Sequence, residues 1–270
     1  TVLSLAIVAV VGFVAFVVWE LTEEHPVVDL RIFRHRGFTI AVLCFTLGFS
    51  SYYAGIIVIP QWLQVSLGYS ATDAGYATCV SGLAALTMSQ FPPRLMKVMD
   101  PRLIVTGGLV WLGCSTLMRT EWTSQADFWT LLIPQLIMGF SIPFFFNTLI
   151  TMMFANVQPH EQPSAAGLFA FMRTMGLAFA ASLSLTYWDN QTKVAGAELA
   201  GKVHDEATTT ALSASGFSFE QSRLIIARLV EQEAITLATD KIFLVTGIIL
   251  ILISSMVWFV PVPKFLQRPR

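Results

Sequence analysis

Charge is what this sequence has least of. Only 12% of its 270 residues are Asp, Glu, Lys or Arg, while 55% are hydrophobic and the mean hydropathy is +0.67. A water-soluble domain of this length needs far more polar surface, so that class is excluded. The formal net charge of −1 gives no signature of nucleic-acid or acidic partners; in lipid, what counts is where charges sit along the chain. Cysteine is also sparse, and Cys44, Cys79 and Cys114 fall inside apolar runs. They are expected to be buried free thiols acting as small hydrophobes rather than a disulfide framework. The four histidines lie in connections, with no metal-ligand spacing, no phosphate-binding glycine loop and no GxSxG elbow. No metal, no cofactor and no enzyme activity are therefore predicted. The chain starts at Thr1 directly on an apolar run, without initiator Met, basic n-region or small-residue cleavage site, which reads as a piece of something longer.

What the sequence does have is long apolar runs. Seven are about long enough to cross a hydrocarbon core: Val2 to Trp19, Phe38 to Pro60, Ala74 to Pro92, Leu103 to Met118, Phe128 to Phe154, Ala165 to Trp188 and Ile242 to Val260. The expected fold class is all-α, a polytopic membrane protein with seven transmembrane helices. Basic residues mark alternate connections: Arg31, Arg34 and Arg36, then Arg94, Lys97 and Arg102, then Lys264, Arg268 and Arg270 in the tail. By the positive-inside bias these face the cytoplasm, and the opposite connections offer only Arg119 or nothing. The amino end is then outside and the carboxyl end inside.

The long segment from Asp189 to Asp240 falls outside and reads as two helices. One covers about Gln191 to His204, with Glu198 and Lys202 at i, i+4. The other starts at Ser218, where Ser218 and Gln221 form a capping box before Leu224, Ile225 and Leu229. This hairpin is either a solvated connector or a docking surface for an extracytoplasmic partner.

Ionisable residues at bilayer depth are costly and mark sites by default. Arg173 qualifies, roughly 12 Å from the cytoplasmic start of its helix at 1.5 Å per residue. Its helical face also carries Ala166, Ala170, Gly176, Ala180 and Ser184, small residues that let helices approach, so a packing seam with the guanidinium on neighbouring carbonyls competes with a substrate or coupling role. Pro134 and Pro143 interrupt the fifth run and free the carbonyls of Thr130 and Gly139, as transporters do at binding sites. Gln135 and Asn147 share that helix about 120° apart, each a candidate for interhelical bonding or for a pocket. Phe144, Phe145, Phe146, Met152 and Met153, with Phe169, Phe171, Met172 and Met175, offer the adaptable surface a promiscuous apolar pocket needs. Ser50, Ser51, Tyr52 and Tyr53 form a polar patch whose hydroxyls are expected to face protein or water. No Asp or Glu lies near a midplane, so a proton-coupling carboxylate is expected elsewhere.

The runs VVWELTEEHPVVDLRIFRHRGFTIAVLC, IPQWLQVSLGYSATDAG, PQLIMGF and FMRTMGLAFAAS resemble the carboxy-terminal half of EmrB-like multidrug efflux proteins, fourteen-span drug:proton antiporters of the major facilitator superfamily. The resemblance implies an extra span and cytoplasmic connection at 1–37, five helices of the second transporter half at 38–187, an extracytoplasmic helical loop at 188–240, and the last helix with its cytoplasmic tail at 241–270. It implies a gating role for Arg94, Asp100 and Arg102 in PPRLMKVMDPRL, where Pro93 or its neighbour replaces the family's usual glycine; positive-inside bias alone also accounts for those charges. By facilitator architecture the second, fifth and sixth spans contribute to a cavity, nominating Tyr52, Tyr53, Gln135, Phe146, Asn147 and Arg173 as substrate-binding residues. The implied function is secondary active efflux of lipophilic small molecules from a bacterial inner membrane by proton antiport with alternating access. The implied partners are the missing amino-terminal transporter half and, as is common in the family, a periplasmic adaptor (membrane fusion protein) with an outer-membrane channel. One buried cation and no buried anion favour neutral or weakly acidic substrates. A seven-span receptor or a membrane scaffold with a docking hairpin are the alternatives from other classes.

Overall fold

A computed structural model describes residues 2–22, 30–124, 126–203 and 218–261. Among the described residues all regular structure is helical: α1 (Val2–Thr22), α2 (Arg36–Ser66), α3 (Ala71–Met88), the short α4 (Phe91–Leu95), α5 (Pro101–Leu117), α6 (Phe128–Ala155), α7 (Gln162–Val203) and α8 (Phe219–Met256). Short 3-10 turns at Leu30–Arg34, Met118–Glu121, Pro159–Glu161 and Val257–Phe259 join or end them. Helices are what an apolar chain must form in lipid, where no water can satisfy a free peptide group.

Five helical stretches are individually long and apolar enough to cross a membrane: Arg36–Ser66, Pro101–Glu121, Phe128–Ala155, Pro159–Gly201 and Glu220–Phe259. The apolar part of α1 that can be assessed, Ile7–Glu20, is shorter. The eighteen-residue α3 is diluted by Thr72, Asp73, Gly75, Thr78, Ser81 and Thr87. All seven runs read from the sequence are helical, but two of them do not stand as spans on length and apolarity alone.

Helix ends differ from the ends of the apolar runs for local chemical reasons. Helix α2 runs straight through Pro60 to Ser66, and the Gln64 side-chain amide donates to the Pro60 carbonyl at 2.9 Å. The third run does not continue to Pro92; Phe91–Leu95 is a separate helix with prolines in its first turn, where a missing N–H costs nothing. Ser70, Asp100 and Asp127 cap α3, α5 and α6 by accepting from the backbone N–H of Asp73, Arg102 and Thr130. Hydrogen bonds from the Thr130 hydroxyl and backbone hold the Asp127 carboxyl below the usual carboxylate range. Helix α6 is continuous across Pro134 and Pro143.

Among the described residues, the segment expected to lie outside consists of extensions of α7 and α8. The helix expected from Gln191 is the continuation of α7, and α8 begins with the capping box at Ser218, whose N–H donates to Gln221 Oε1 at 3.0 Å while its hydroxyl accepts from the Gln221 N–H at 3.3 Å. The two helices are pinned by Trp188 Nε1 donating to Thr239 Oγ1 at 2.9 Å and Lys241 Nζ to Gln191 Oε1 at 2.7 Å. His204, the Lys202 side chain of the expected pair with Glu198, and the tail residues Lys264, Arg268 and Arg270 lie outside what the structure describes.

In the bundle α5 packs on α6 and α8, α2 on α7 and α8, α3 on α6, and α7 on α8. Helix α1 stands apart with most of its surface exposed, stacking Phe16 on Phe171 of α7 at 5.2 Å. Close approach needs glycine at Gly139 on α6, where a Cβ would run into the Ser81 carbonyl of α3. The core has two parts. One gathers Phe38, Phe45, Leu109, Leu112, Met138, Phe145, Leu149 and Leu250; the other gathers Ile59, Trp62, Leu63, Trp122, Leu131, Ile235 and Phe243. Of the thiols expected to be buried, Cys44 is, whereas Cys79 and Cys114 lie on outward helix faces.

Candidate functional site

Phe45, Phe49, Tyr52 and Tyr53 recur on α2 at i, i+4, i+7 and i+8, which aligns them on one face over roughly 12 Å. Ring contacts extend this stripe onto two more helices. Phe146 of α6 meets Phe45 at 5.4 Å, Phe49 at 5.5 Å and Tyr52 at 5.7 Å, all edge-on. Phe169 of α7 meets Phe45 at 4.7 Å. Edge-to-face geometry suits the ring quadrupoles, so the web is well packed as well as apolar. Phe49, Tyr52, Tyr53, Phe146 and Phe169 are only half-buried, and the web therefore forms a wall rather than an interior core.

A cation stands at each end of this wall. At one end Arg173 of α7 lies exposed, its guanidinium carbon 6.0 Å from the Phe169 ring centroid. At the other end is Arg119, in the turn after α5, with a relative exposure of 1%. Its Nη2 donates to Gln135 Oε1 of α6 at 2.8 Å and contacts Met138 Sδ at 2.6 Å. The guanidinium carbon lies 5.7 Å from the Trp122 ring and 5.6 Å from the Phe243 ring. On α2 it faces Gly55, one turn beyond Tyr52, where an added Cβ would lie 3.9 Å from Nη1. Arg119 thus joins Met138 of one core cluster to Trp122 and Phe243 of the other.

The residues nominated from sequence divide accordingly. Tyr52, Phe146 and Tyr53 come together on the aromatic wall, and Gln135 lies behind it as the partner of Arg119. Asn147 is exposed elsewhere on α6, as the helical period requires, with its carbonyl accepting from the Thr151 hydroxyl at 2.7 Å. Arg173 does not sit in a packing seam. Gly176, Ala180 and Ser184 are buried and pack, with Gly176 against Thr46 and Ser50 of α2, but Ala166, Ala170 and Arg173 face outward. Ser51 bonds the Leu47 carbonyl of its own helix at 2.9 Å, and Ser50 belongs to the α2–α7 contact, so these two serines serve packing and do not line a cavity. Met152 and Met153 are core; Met172 and Met175 are half-buried. In the basic loop Arg94 is exposed, Asp100 caps α5, and Arg102 keeps a buried Nε without a hydrogen-bond partner.

Sequence reasoning placed Arg119 in an outer connection and missed its burial. The signal was present: a lone arginine in a short connection of the set where arginines are otherwise scarce, three residues before Trp122. Also missed was Asp240 on α8, half-buried with one carboxylate oxygen enclosed and unpartnered, on the same helix as Glu233, which accepts the Ser124 hydroxyl at 3.0 Å. Among the described residues no group of His, Cys, Asp or Glu could hold a metal ion.

Residues 1–181 match the pattern of the Major Facilitator Superfamily. The chain belongs to that family. It is a multi-pass, all-helical protein of the inner membrane. Among its relatives, Multidrug export protein EmrB of Escherichia coli (strain K12) is 30% identical over 268 residues, covering 97% of this chain and 52% of that protein. Probable multidrug resistance protein EmrY of the same strain is 28% identical over 270 residues, again 97% and 52%. Fatty acid resistance protein FarB of Neisseria gonorrhoeae is 28% identical over 267 residues, 97% and 53%. The chain spans about half the length of these curated relatives. Major-facilitator membership speaks for a transporter rather than an enzyme or a receptor, and the EmrB-like resemblance read from the motifs holds along nearly the whole chain.

Proposed function

We propose that this chain forms the carboxy-terminal half of a secondary active exporter of lipophilic small molecules, working by alternating access in exchange for protons. The observation that carries the reading is the half-buried aromatic wall shared by α2, α6 and α7, in a major-facilitator chain whose relatives are named for multidrug export and fatty acid resistance. Aromatic rings bury large apolar area without demanding one ligand shape, which suits a varied substrate set. Tyr52, Tyr53 and Phe146 supply the wall; Asn147 and Arg173 add polar contacts from exposed faces of α6 and α7; Gln135 acts through Arg119. Arg94, Asp100 and Arg102 form the cytoplasmic gating loop. The coupling carboxylate and the opposing wall belong to an amino-terminal half, and a periplasmic adaptor with an outer-membrane channel completes the export route.

The test is accumulation of a neutral lipophilic dye in cells expressing the complete transporter that carries this chain. Expression should lower steady-state dye, and a protonophore should abolish the difference. Accumulation equal to that of empty-vector cells would reject the proposal.

A further inference from the structure

Asp240 is a carboxylate that the aromatic wall leaves unused. It lies on α8 two residues before the apolar run Ile242 to Val260, half-buried, with Oδ1 enclosed and no hydrogen-bond donor to it. By the helical period it shares a face with Thr236, four residues earlier, and Phe243, three residues later. Both of those neighbours are fixed. Thr236 Oγ1 accepts from Trp62 Nε1 of α2 at 3.0 Å, and the Phe243 ring meets Trp122 edge-on at 5.5 Å, while Trp122 stacks on Trp62 at 5.3 Å. Asp240 therefore stands at the edge of an aromatic cluster.

Among the described residues nothing there offsets a negative charge. Lys241, the adjacent cation, donates instead to Gln191 of α7 at 2.7 Å. The other charged groups at this end of the elements packed on α8 are Arg119 and Glu121 after α5 and Asp189 and Lys193 on α7, with Tyr187 and Tyr69 as the remaining titratable ones. None of them forms an ion pair with Asp240, and Asp189 and Lys193 hold each other. Glu233 lies on the same face of α8 two turns earlier and adds a like charge roughly 10 Å away. An enclosed carboxylate oxygen with neither donor nor cation is costly when ionised, and a proton removes most of that cost.

We infer that Asp240 is a proton-binding site of this half of the transporter, exchanging its proton with water at the end of the bundle that carries the α7 and α8 extensions. This rests on the reading of export in exchange for protons, and it gives the proton a second acceptor besides the carboxylate expected in the amino-terminal half. Part of the residue stays exposed, so water reaches it without any opening of the core. Protonated, the side chain is neutral beside the indole pair. Ionised, it draws water to the edge of the cluster and loosens α8 from Trp62 and Trp122.

The experiment uses the purified complete transporter in detergent and records infrared difference spectra between about pH 9 and about pH 6, a range in which exposed aspartates stay ionised. The unmodified protein should gain the C=O stretch of a protonated carboxylic acid, shifted in deuterium oxide, and Asp240→Asn should lose that band. Glu233→Gln removes the like charge without touching Asp240 and should move the midpoint of the band to lower pH, which decides the matter if the asparagine variant does not fold. Identical spectra in the unmodified protein and Asp240→Asn, or an unmoved midpoint in Glu233→Gln where the asparagine variant does not fold, overturn the inference. Because the readout is proton occupancy, a protein that shows the Asp240 band but moves no dye refutes the export reading alone.

Discussion

Arg119 and Gln135 hold one another across the corner between α5 and α6, Nη2 to Oε1 at 2.8 Å, at a place where neither reaches solvent. The amide oxygen is the one hydrogen-bonding oxygen the guanidinium has among the described residues. Gln135→Leu should therefore destabilise the protein by about 2–3 kcal/mol, the cost of removing the acceptor from a buried charged donor. Gln135→Glu should instead raise thermal stability, because it pairs the charge. Thermal melts of the purified protein check both signs, and equal melting of all three proteins would contradict the burial of this cation.

Gly139 is where α6 touches the backbone of α3. Gly139→Val should cost about 2 kcal/mol or more, because Ser81 contributes a backbone carbonyl and not a flexible side chain. Gly75 on α3 has open space around it, and Gly75→Ala should be near neutral. Thermal shift of the two variants side by side tests the packing; similar losses would show that α3 and α6 do not meet there.

Ser218 starts α8 with a reciprocal cap. Ser218→Ala should cost the local helix about 1 kcal/mol. Hydrogen exchange should then rise in the first turns of α8 while the part near Phe243 keeps its protection. Uniform exchange along α8 would mean that the cap does not hold the extension.

Arg173 is exposed, its guanidinium carbon 6.0 Å from the Phe169 ring centroid. Arg173→Ala should change stability by no more than about 0.5 kcal/mol while lowering export of acidic lipophiles. A large drop in melting temperature would assign it a structural role instead.

The elements were legible because apolar run length, proline and capping chemistry act locally. Ser218 and Gln221 announced a helix start that the structure contains, and the period of α6 correctly separated Gln135 from Asn147. Helix ends were less legible, since Pro60 ends an apolar run without ending α2. The site was legible in part. Tyr52 and Phe146 belong to different helices, and no local pattern shows that their rings meet. Arg119 was hidden for a similar reason: counting along α5 puts its Cα at the end of an apolar run, but its long side chain turns inward to the Phe243 ring and the Gln135 amide of other helices, beside Trp122 of its own connection. Depth along a helix places a backbone, and tertiary contacts place a guanidinium.

The most direct measurement is energised transport of the neutral lipophilic dye into everted membrane vesicles, with the complete transporter and a Tyr52→Ala, Phe146→Ala double variant run side by side. The account predicts that the unmodified protein pumps the dye and that the variant, with the half-buried wall between α2 and α6 cut away, loses at least about tenfold in rate. Equal rates in the two proteins, with the variant folded and in the membrane, would contradict it.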